Sequence, residues 1–193
     1  MRRVQRAHGL FQGLDDAISD GGISVSHSPP SEAMSELIAR LPWDGRIRHV
    51  RDARYFDWRF RNPHHEYRFL FAGGERLDGY LVLHRYVTDG YDLEHVNIVD
   101  WEATDEHVRA ALLEAALRRG QFARVHTWTA SRSDSTRSLL EKNGFETHVG
   151  VRRQGLLVRR VGEESDDPPW RLDSRDPLDI ENWDLRMLYS MAG

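Results

Sequence analysis

A chain of 193 residues, 39% of them hydrophobic and 30% charged, is long enough for one globular domain with a sizeable core, and its composition is not that of a disordered protein. The net charge of −4 gives no reason to expect nucleic-acid binding, and the absence of cysteine excludes disulfides, thiolate nucleophiles and cysteine-based metal sites. No apolar run reaches the ~18–20 residues that span a bilayer, and the first residues lack the apolar core of a signal peptide, so we expect a cytoplasmic protein without a membrane span.

The N-terminal part is predicted to contain an arm and two helices. Residues 1–30 are polar and rich in turn formers, which predicts a linker or a weakly ordered arm. Ser31 can cap a first helix, EAMSELIARL, whose apolar residues recur at helical spacing. Asp52 can cap a second helix, ARYFDWRF, which ends before Asn62 and Pro63.

From Tyr67 the apolar pattern changes to the period of two that is typical of strands. YRFLFA is followed by the strands GYLVLHRYV and YDLEHVNIVDW, which the turn Thr88-Asp89-Gly90 joins into a hairpin. Thr104 can cap the helix DEHVRAALLEAALRRG. After this helix we expect the strand ARVHTWTA, the helix SDSTRSLLEKNG, and a closing hairpin of ETHVGVRR and GLLVRRV.

This order of elements predicts an α/β fold with a mixed, mostly antiparallel sheet and helices on both faces. The first three strands are expected to be antiparallel, and the strand–helix–strand unit that follows requires a right-handed crossover and local parallel pairing. The acidic, proline-containing stretch EESDDPPW marks a boundary. We therefore expect one domain over 31–162 and an appended C-terminal segment over 163–193.

The stretch SLLEKNGFETH predicts a particular helix ending. Asn143 and Gly144 can adopt the left-handed backbone that closes a helix, and Phe145 can fasten the exit to a core. This ending and the element order together resemble the GNAT superfamily, the Gcn5-related N-acetyltransferases, from about Ser31 to Val161. The resemblance implies a GNAT-like sheet and an acyl-CoA donor, acetyl-CoA or another acyl-CoA.

A narrower resemblance lies in RDARYFDWRFRNPHHEY, which is similar to a "WRY…hP…Y" pattern of GNAT-like proteins linked to surface-polysaccharide synthesis. Those proteins often end in an "NW.L" segment, matched here by Asn182, Trp183 and Leu185. Many of them contain two GNAT-like halves, and this chain resembles the second. The resemblance implies a glycan or other small-molecule acceptor, and a homodimer or a partner GNAT-like half.

In the GNAT family the donor binds where the fourth strand diverges from its neighbour and a helix begins. Here that loop is WEATDEH, so Trp101 and Thr104, together with Ser133 in the next loop, are the expected cofactor-binding residues. The family's loop is usually glycine-rich and presents backbone N–H groups to the pyrophosphate. This loop has no glycine, and three carboxylates at the helix start would repel an anion: Glu102, Asp105 and Glu106.

The resemblance also implies an acid for the departing thiolate, which in many GNAT enzymes is a tyrosine; Leu140 stands at that position. A base is expected on the hairpin, where Glu94 and His84 would lie nearly opposite each other. The alternative for this pair is a cross-strand polar contact at a sheet end. Asp100 ends the strand that leads into the helix, so it is a second catalytic candidate, with a capping or turn contact as the alternative.

Arg59 and Arg61, beside aromatic residues, are candidates for binding an anionic sugar or lipid acceptor, with a helix-end salt bridge as the alternative. His64 and His65 follow Pro63 without an acidic partner at metal-ligand spacing, so we expect exposed side chains and no metal site. The sequence thus predicts an acyltransferase of the GNAT type that moves an acyl group to an amine or hydroxyl. The alternative is a non-catalytic GNAT-like binding or accessory domain with a degenerate CoA site.

Overall fold

The computed structural model describes residues 10–15, 22–86, 95–128, 133–147 and 171–189. The chain divides into two compact units. The sheet unit comprises Met1–Pro42, Val50–Trp128 and Arg186–Gly193, and the second unit comprises Trp43–His49 and Thr129–Leu185. No helix within the described ranges is long and apolar enough to cross a membrane.

The sheet unit is built on five strands that follow the order of the sequence across the sheet. Neighbouring strands are antiparallel, except that the last two run parallel, so the predicted mixed, mostly antiparallel α/β fold is confirmed. The strands are β1 (Ile23–Ser26), β2 (His65–Gly73), β3 (Leu77–Tyr86), β4 (His95–Ala103) and β5 (Arg124–His126).

Helices cover both faces of this sheet. They are α1 (Gln12–Asp15), α2 (Ser31–Arg40), α3 (Ala53–Arg59) and α4 (Glu106–Arg119). Tyr80 of β3 meets Phe56 of α3 edge to face, with ring centroids 6.3 Å apart. A Cβ on the preceding residue, Gly79, would lie 2.7 Å from Val108 and 2.9 Å from Leu112 of α4. Because successive strand residues point to opposite faces, α3 and α4 cover opposite sides of β3.

The main apolar core lies on the α2–α3 face. It contains residues of both helices, of the three central strands and of the short 3₁₀ helix Met187–Tyr189. Its buried members are Met34, Leu37, Ile38, Phe56, Tyr67, Phe69, Phe71, Tyr80, Val82, Val99 and Leu188. The C-terminal residues 186–189 therefore belong to the core of the sheet unit.

The segment 1–30, predicted as a linker or weakly ordered arm, contributes secondary structure where the structure describes it. Strand β1 pairs with β2 along its whole length, and Leu10, Phe11 and Leu14 are buried. Arg68 of β2 attaches α1 to the sheet, because its guanidinium donates to both carboxylate oxygens of Asp15 at 2.5 and 2.8 Å. A polar segment with few apolar residues can still complete a sheet edge.

The helix caps agree with the prediction at one helix and differ at two. Asp52 caps α3 as predicted, since its carboxylate accepts from the Tyr55 N–H at 2.7 Å. Ser31 is already inside α2, and its hydroxyl donates to Asp57 of α3 at 2.6 Å. Helix α4 begins later than predicted, so that Asp105 rather than Thr104 is the cap.

The register of the β3–β4 hairpin also differs from the prediction. His84 lies opposite Asn97, where a three-residue turn would have placed Glu94. The pairing shifts by one residue between Val82 and Leu83, which is a β-bulge at Val99. Glu94 itself lies outside the described residues.

In the second unit, α5 (Asp134–Lys142) ends at the predicted place, with a left-handed backbone at Gly144 but not at Asn143, whose φ is −94°. Gly144 has a φ of +82°, and its N–H donates to the Glu141 carbonyl at 3.0 Å. The Phe145 N–H donates to the Leu140 carbonyl at 3.1 Å, which completes a Schellman motif. The predicted closing hairpin, ETHVGVRR and GLLVRRV, falls almost wholly outside the described residues.

Candidate functional site

Strands β4 and β5 pair in parallel over a short described length. His95, Val96 and Asn97 pair with Arg124, Val125 and His126, and the Thr127 hydroxyl donates to the Ile98 carbonyl at 3.2 Å. From Val99 to Ala103, β4 continues without a parallel partner among the described residues. The bulge at Val99 lies two residues beyond the last of these pairs, and the residues after Trp128 that would continue β5 lie outside the described ranges.

A buried ion cluster lies on β4 immediately after the bulge. Asp100 is fully buried and accepts hydrogen bonds from three side chains. These come from Arg51 at 3.0 and 3.2 Å, from Arg186 at 2.8 Å and from the Tyr80 hydroxyl at 2.7 Å. The Trp101 N–H donates to the same carboxylate at 3.0 Å. Both carboxylate oxygens of Asp100 therefore already accept hydrogen bonds from protein donors, which leaves no free position for a substrate.

Glu102 completes the cluster two residues further along the strand. Its Oε1 accepts from Arg51 at 2.6 Å and lies 2.8 Å from Nη2 of Arg186. The four side chains carry two positive and two negative charges, and none is more than 10% exposed. The set is neutral and each of its charged groups has an oppositely charged partner, which is the form in which buried charges are tolerated, although Nε of Arg51 is buried without a hydrogen-bond partner.

The cluster sets the protonation state of its carboxylates. Burial by itself raises the pKa of Asp100, but the charges of Arg51 and Arg186 outweigh it and lower that pKa to about 2. The pKa of Glu102 is also lowered, because the same two guanidiniums outweigh the effect of burial. A carboxylate with so low a pKa is a weak base, so the geometry favours a structural contact for Asp100.

A second group of polar side chains lies on the α2–α3 face, at the end of the sheet where β2 and β4 begin. His84 is completely buried and lies among the rings of His65, Tyr67 and Tyr86, with centroid distances of 4.6, 5.2 and 4.8 Å. We call these four residues the imidazole face. Its members alternate along β2 and β3 and pair across them, His65 with Tyr86 and Tyr67 with His84.

His84 has one polar partner in this face. Its Nδ1 lies 3.3 Å from the side-chain amide of Asn97, and its Nε2 is buried without a hydrogen-bond partner. Burial, His65 and Arg59 lower the pKa of His84 to about 3, so the ring is neutral at physiological pH. An unpaired polar atom in a buried position is unusual in a folded protein.

His65 is the more accessible imidazole, being only partly buried. The His64 N–H donates to Oδ1 of Asn62 at 3.0 Å, which turns the amide nitrogen of Asn62 toward Nε2 of His65 at 3.4 Å. Nε2 is then the acceptor, and Nδ1–H donates to the Tyr67 hydroxyl at 2.9 Å. This network assigns the tautomer of His65 and leaves Nε2 as the nitrogen able to take a proton.

A family model described as an acetyltransferase (GNAT) domain matches residues 48–161, more than half of the chain. The chain belongs to the GNAT acetyltransferases. Comparison with curated proteins and with solved structures found no match. The matched range contains β2 to β5, α4 and α5, and it therefore includes both the parallel pair of β4 and β5 and the imidazole face.

At the start of α4, where a GNAT donor's pyrophosphate would be expected, the carboxylates have protein partners. Asp105 accepts from the Val108 N–H at 2.8 Å, so the protein's own carboxylate occupies a helix-start donor. Glu106 lies 3.6 Å from Arg109, and Glu102 is neutralised in the ion cluster. Three carboxylates were expected to repel an anion here: Glu102, Asp105 and Glu106. Of these, Glu102 is buried and its charge is neutralised inside the protein.

Of the residues predicted to bind the donor, Trp101 and Thr104 belong to the sheet unit and Ser133 to the second unit. Trp101 is wholly buried, with the guanidinium of Arg109 5.6 Å from its ring. Thr104 is exposed, and its N–H donates to the Asp78 carbonyl at 2.8 Å. Ser133 caps α5 in the second unit, where its hydroxyl accepts from the Thr136 N–H at 3.2 Å. Their role in binding a donor stays a prediction.

The two arginines predicted to bind the acceptor have different surroundings. Arg59 is partly buried, its Nε donates to the Leu188 carbonyl at 2.7 Å, and its charge acts on His65 and His84. Arg61 is exposed in the turn after α3. The structure therefore brings Arg59, but not Arg61, to the imidazole face.

Sequence reasoning missed His65, Tyr67 and Asn97 as members of this site. His65 was expected to lie exposed in a loop, but it begins β2. The period of two along HEYRF and LHRY already puts one imidazole and one phenol of each strand on a common face. The strand register, which the bulge shifts by one residue, is needed to show that Asn97 of β4 lies opposite His84.

Proposed function

We propose that this GNAT domain transfers an acyl group from a CoA-type donor to an amine or hydroxyl acceptor. The observation that carries the proposal is the family match over 48–161, because GNAT domains generally use acyl-CoA donors. The parallel pairing of β4 with β5 before α4 agrees with it, since the family's donor is expected on that pair of strands. A CoA donor makes the cytoplasm the proposed setting.

Within this proposal, His65 takes the proton of the acceptor. Its Nε2 carries the lone pair, which the acceptor's proton takes over from the 3.4 Å contact with the Asn62 amide, and its Nδ1–H bond to Tyr67 fixes the orientation of the ring. Burial, Arg59 and His64 lower the pKa of His65, so the imidazole is neutral and able to act as a base at neutral pH. His84, 4.6 Å away between ring centroids, supports this ring from inside the protein.

Thermal unfolding with and without acetyl-CoA tests donor binding. A donor at 100 times its dissociation constant should stabilise the folded chain by ~2.7 kcal/mol. Turnover is then followed with a thiol reagent, which reports only released CoA because the chain contains no cysteine. The absence of any shift at millimolar acetyl-CoA would contradict the proposal. His65→Gln should lower kcat at least about tenfold while the acetyl-CoA shift is kept.

A non-catalytic binding or accessory domain is the second candidate, and specific contacts favour it. The carboxylate of Asp105 caps α4 where the donor's pyrophosphate is expected, and Nη1 of Arg186 donates to the Trp101 carbonyl of β4 at 3.3 Å. Asp105→Asn distinguishes the two candidates, because asparagine keeps the cap and removes the charge. If the affinity for the donor rises in this variant, the charge of Asp105 is the obstacle to binding and the donor site is otherwise intact, which favours the acyltransferase. Affinity that stays absent favours the binding domain.

The setting in surface-polysaccharide synthesis, with a glycan acceptor, is part of the same proposal and is supported by the RDARYFDWRFRNPHHEY pattern. Asn182 and Trp183 of the "NW.L" match are held to the second unit's own segment, because the Asn182 carbonyl accepts from the Ile47 N–H at 2.7 Å. We also propose a homodimer or a partner GNAT-like half. Light scattering of the purified chain tests the homodimer, and a monomer at all concentrations would contradict it.

A further inference from the structure

We propose that Asn62 is a positioning residue for the acyl transfer, because its side-chain amide decides which nitrogen of His65 can accept a proton. The inference rests on the proposed acyl transfer and adds to it a residue that acts through the imidazole. Asn62 and the imidazole face both belong to the sheet unit.

The turn after α3 fixes the side chain of Asn62. Its Oδ1 accepts from the His64 N–H at 3.0 Å, and its backbone carbonyl accepts from the His65 N–H at 3.2 Å. Pro63 lies between these residues and restricts the backbone of the turn. Because Oδ1 is held in this way, the amide nitrogen faces Nε2 of His65 at 3.4 Å.

The two contacts of the His65 ring do not have the same effect on its tautomer. The Tyr67 hydroxyl, 2.9 Å from Nδ1, can donate or accept, so it fits either neutral form of the ring. The amide nitrogen of Asn62 can only donate, so Nε2 is the acceptor and Nδ1 carries the hydrogen. Asn62 is therefore the residue of this pair that selects the tautomer. Its contact is long and its side chain is exposed, so a reacting hydroxyl can displace it from Nε2.

His84 has the opposite tautomer for the same physical reason. Nδ2 of Asn97 lies 3.3 Å from Nδ1 of His84, which makes Nδ1 the acceptor and places the hydrogen on Nε2. The rings of His65 and His84 are 4.6 Å apart between centroids, so two neighbouring imidazoles differ in tautomer and each is set by an asparagine. The accessible ring, His65, is the one whose Nε2 has the lone pair that a base needs.

Nitrogen NMR of the histidine rings tests this assignment, because the two neutral tautomers differ in the chemical shifts of their ring nitrogens. The signals are assigned through His65→Gln and His84→Gln. We expect wild-type His65 to carry its hydrogen on Nδ1. In Asn62→Asp, Oδ1 can still accept from the His64 N–H while the second carboxylate oxygen accepts from Nε2–H, so the tautomer should reverse and the pKa of His65 should rise by about one unit. A wild-type hydrogen on Nε2, or an unchanged tautomer in Asn62→Asp, would overturn the proposal.

Asn97→Asp is the matched control for this measurement. It should change the ring nitrogen signals of His84 and leave the hydrogen of His65 on Nδ1. Unfolding curves show whether each variant is folded. The titratable groups that face His65 are kept in both variants: Arg59, His64, Tyr67, His84 and Tyr86. If the tautomer of His65 reverses in Asn97→Asp as well, the ring responds to any added charge and the specific role of Asn62 is overturned.

Release of CoA from acetyl-CoA, with water as the acceptor, tests the role in the reaction. Asn62→Asp should lower kcat at neutral pH at least about tenfold while the acetyl-CoA shift is kept, because Nε2 then carries a hydrogen. Its rate should also reach a plateau at a pH about one unit higher than in the wild-type chain, as the raised pKa of His65 requires. Arg54→Gln changes the net charge by the same amount at an exposed position of α3 and should leave kcat unchanged.

The tautomer is measured without CoA, so the two proposals can fail separately. If Asn62→Asp binds acetyl-CoA and releases CoA at the wild-type rate, the positioning role is overturned and the acyl-transfer proposal stands. If acetyl-CoA neither binds nor reacts although the tautomer reverses as expected, the acyl-transfer proposal fails. The role of Asn62 in that reaction then fails with it, and only its control of the His65 tautomer remains.

Discussion

Replacement of Arg186 by methionine should destabilise the sheet unit strongly. Methionine keeps much of the apolar stem but removes the guanidinium that lies 2.8 Å from Asp100 and 2.8 Å from Glu102. Two buried carboxylates then share one cation, Arg51. Removing one partner of a buried ion pair typically costs 3–5 kcal/mol, because the other charge is left uncompensated. For a chain of this length, that corresponds to a fall in Tm of roughly 6–20 °C.

The measurement is thermal and urea unfolding followed by circular dichroism, with Arg137→Met as the control. Arg137 lies 3.7 Å from Asp134 in a largely exposed pair, which should contribute less than about 1 kcal/mol. Restoring neutrality in the double variant Arg186→Met with Glu102→Gln should recover a large part of the loss. A fall below about 1 kcal/mol in Arg186→Met would refute the ion cluster as described.

Acid unfolding provides an independent readout of the same cluster. The folded pKa of Asp100, about 2, is below its ordinary value of 3.8. The stabilisation from this group is therefore complete above roughly pH 4 to 5 and is lost as the pH falls toward 2. Without Arg186 the pKa of Asp100 should rise, and the midpoint of acid unfolding should move to a higher pH. An unchanged midpoint would contradict the pairing.

Three further predictions concern single positions. Gly79→Ala, whose new Cβ would lie within 3 Å of two α4 side chains, should cost about 1–3 kcal/mol in urea unfolding, whereas Gly74→Ala, with no atom within 4 Å, should be nearly neutral. Gly144→Ala should cost about 1–2 kcal/mol from the positive φ alone, and equal stability would refute the left-handed helix ending. The pKa of His84 is lowered to about 3 by burial, so the unfolded state gains its proton first and this group makes the free energy of unfolding fall from about pH 6.5 toward 3. His84→Gln should flatten that slope, and an NMR titration in which His84 becomes protonated near pH 6.5 would contradict the burial.

The elements of this fold were predictable where a single local rule decides them. Helix α4 and strands β2 to β4 follow from apolar periodicity, and the end of α5 follows from Gly144. Strand β1 was not predicted, because four residues with mixed burial have no clear period and become a strand only by pairing with β2. Tertiary pairing, rather than local preference, decides such a segment.

The candidate site depends on long-range geometry that the sequence does not display. A bulge at Val99 moves His84 opposite Asn97, and one residue of slip exchanges the neighbours of every side chain on the strand. Glu102 shows the same limit. It was expected to be a charge at the helix start, yet it is neutralised by Arg51 and Arg186, which are far from it in the chain.

The ion cluster also has a consequence for synthesis of the chain. Arg186 and Asp100 are separated by 86 residues, whereas Arg51 and Asp100 are separated by 49. At a synthesis rate of about 5–20 residues per second, Arg186 follows Asp100 by roughly 4–17 s. During that interval two carboxylates of β4 have a single cation to share. The folding of this core during synthesis therefore has to wait until Arg186 has been added. A nascent chain that stops before residue 186 should be captured by chaperones and proteases more readily than one that stops after residue 189.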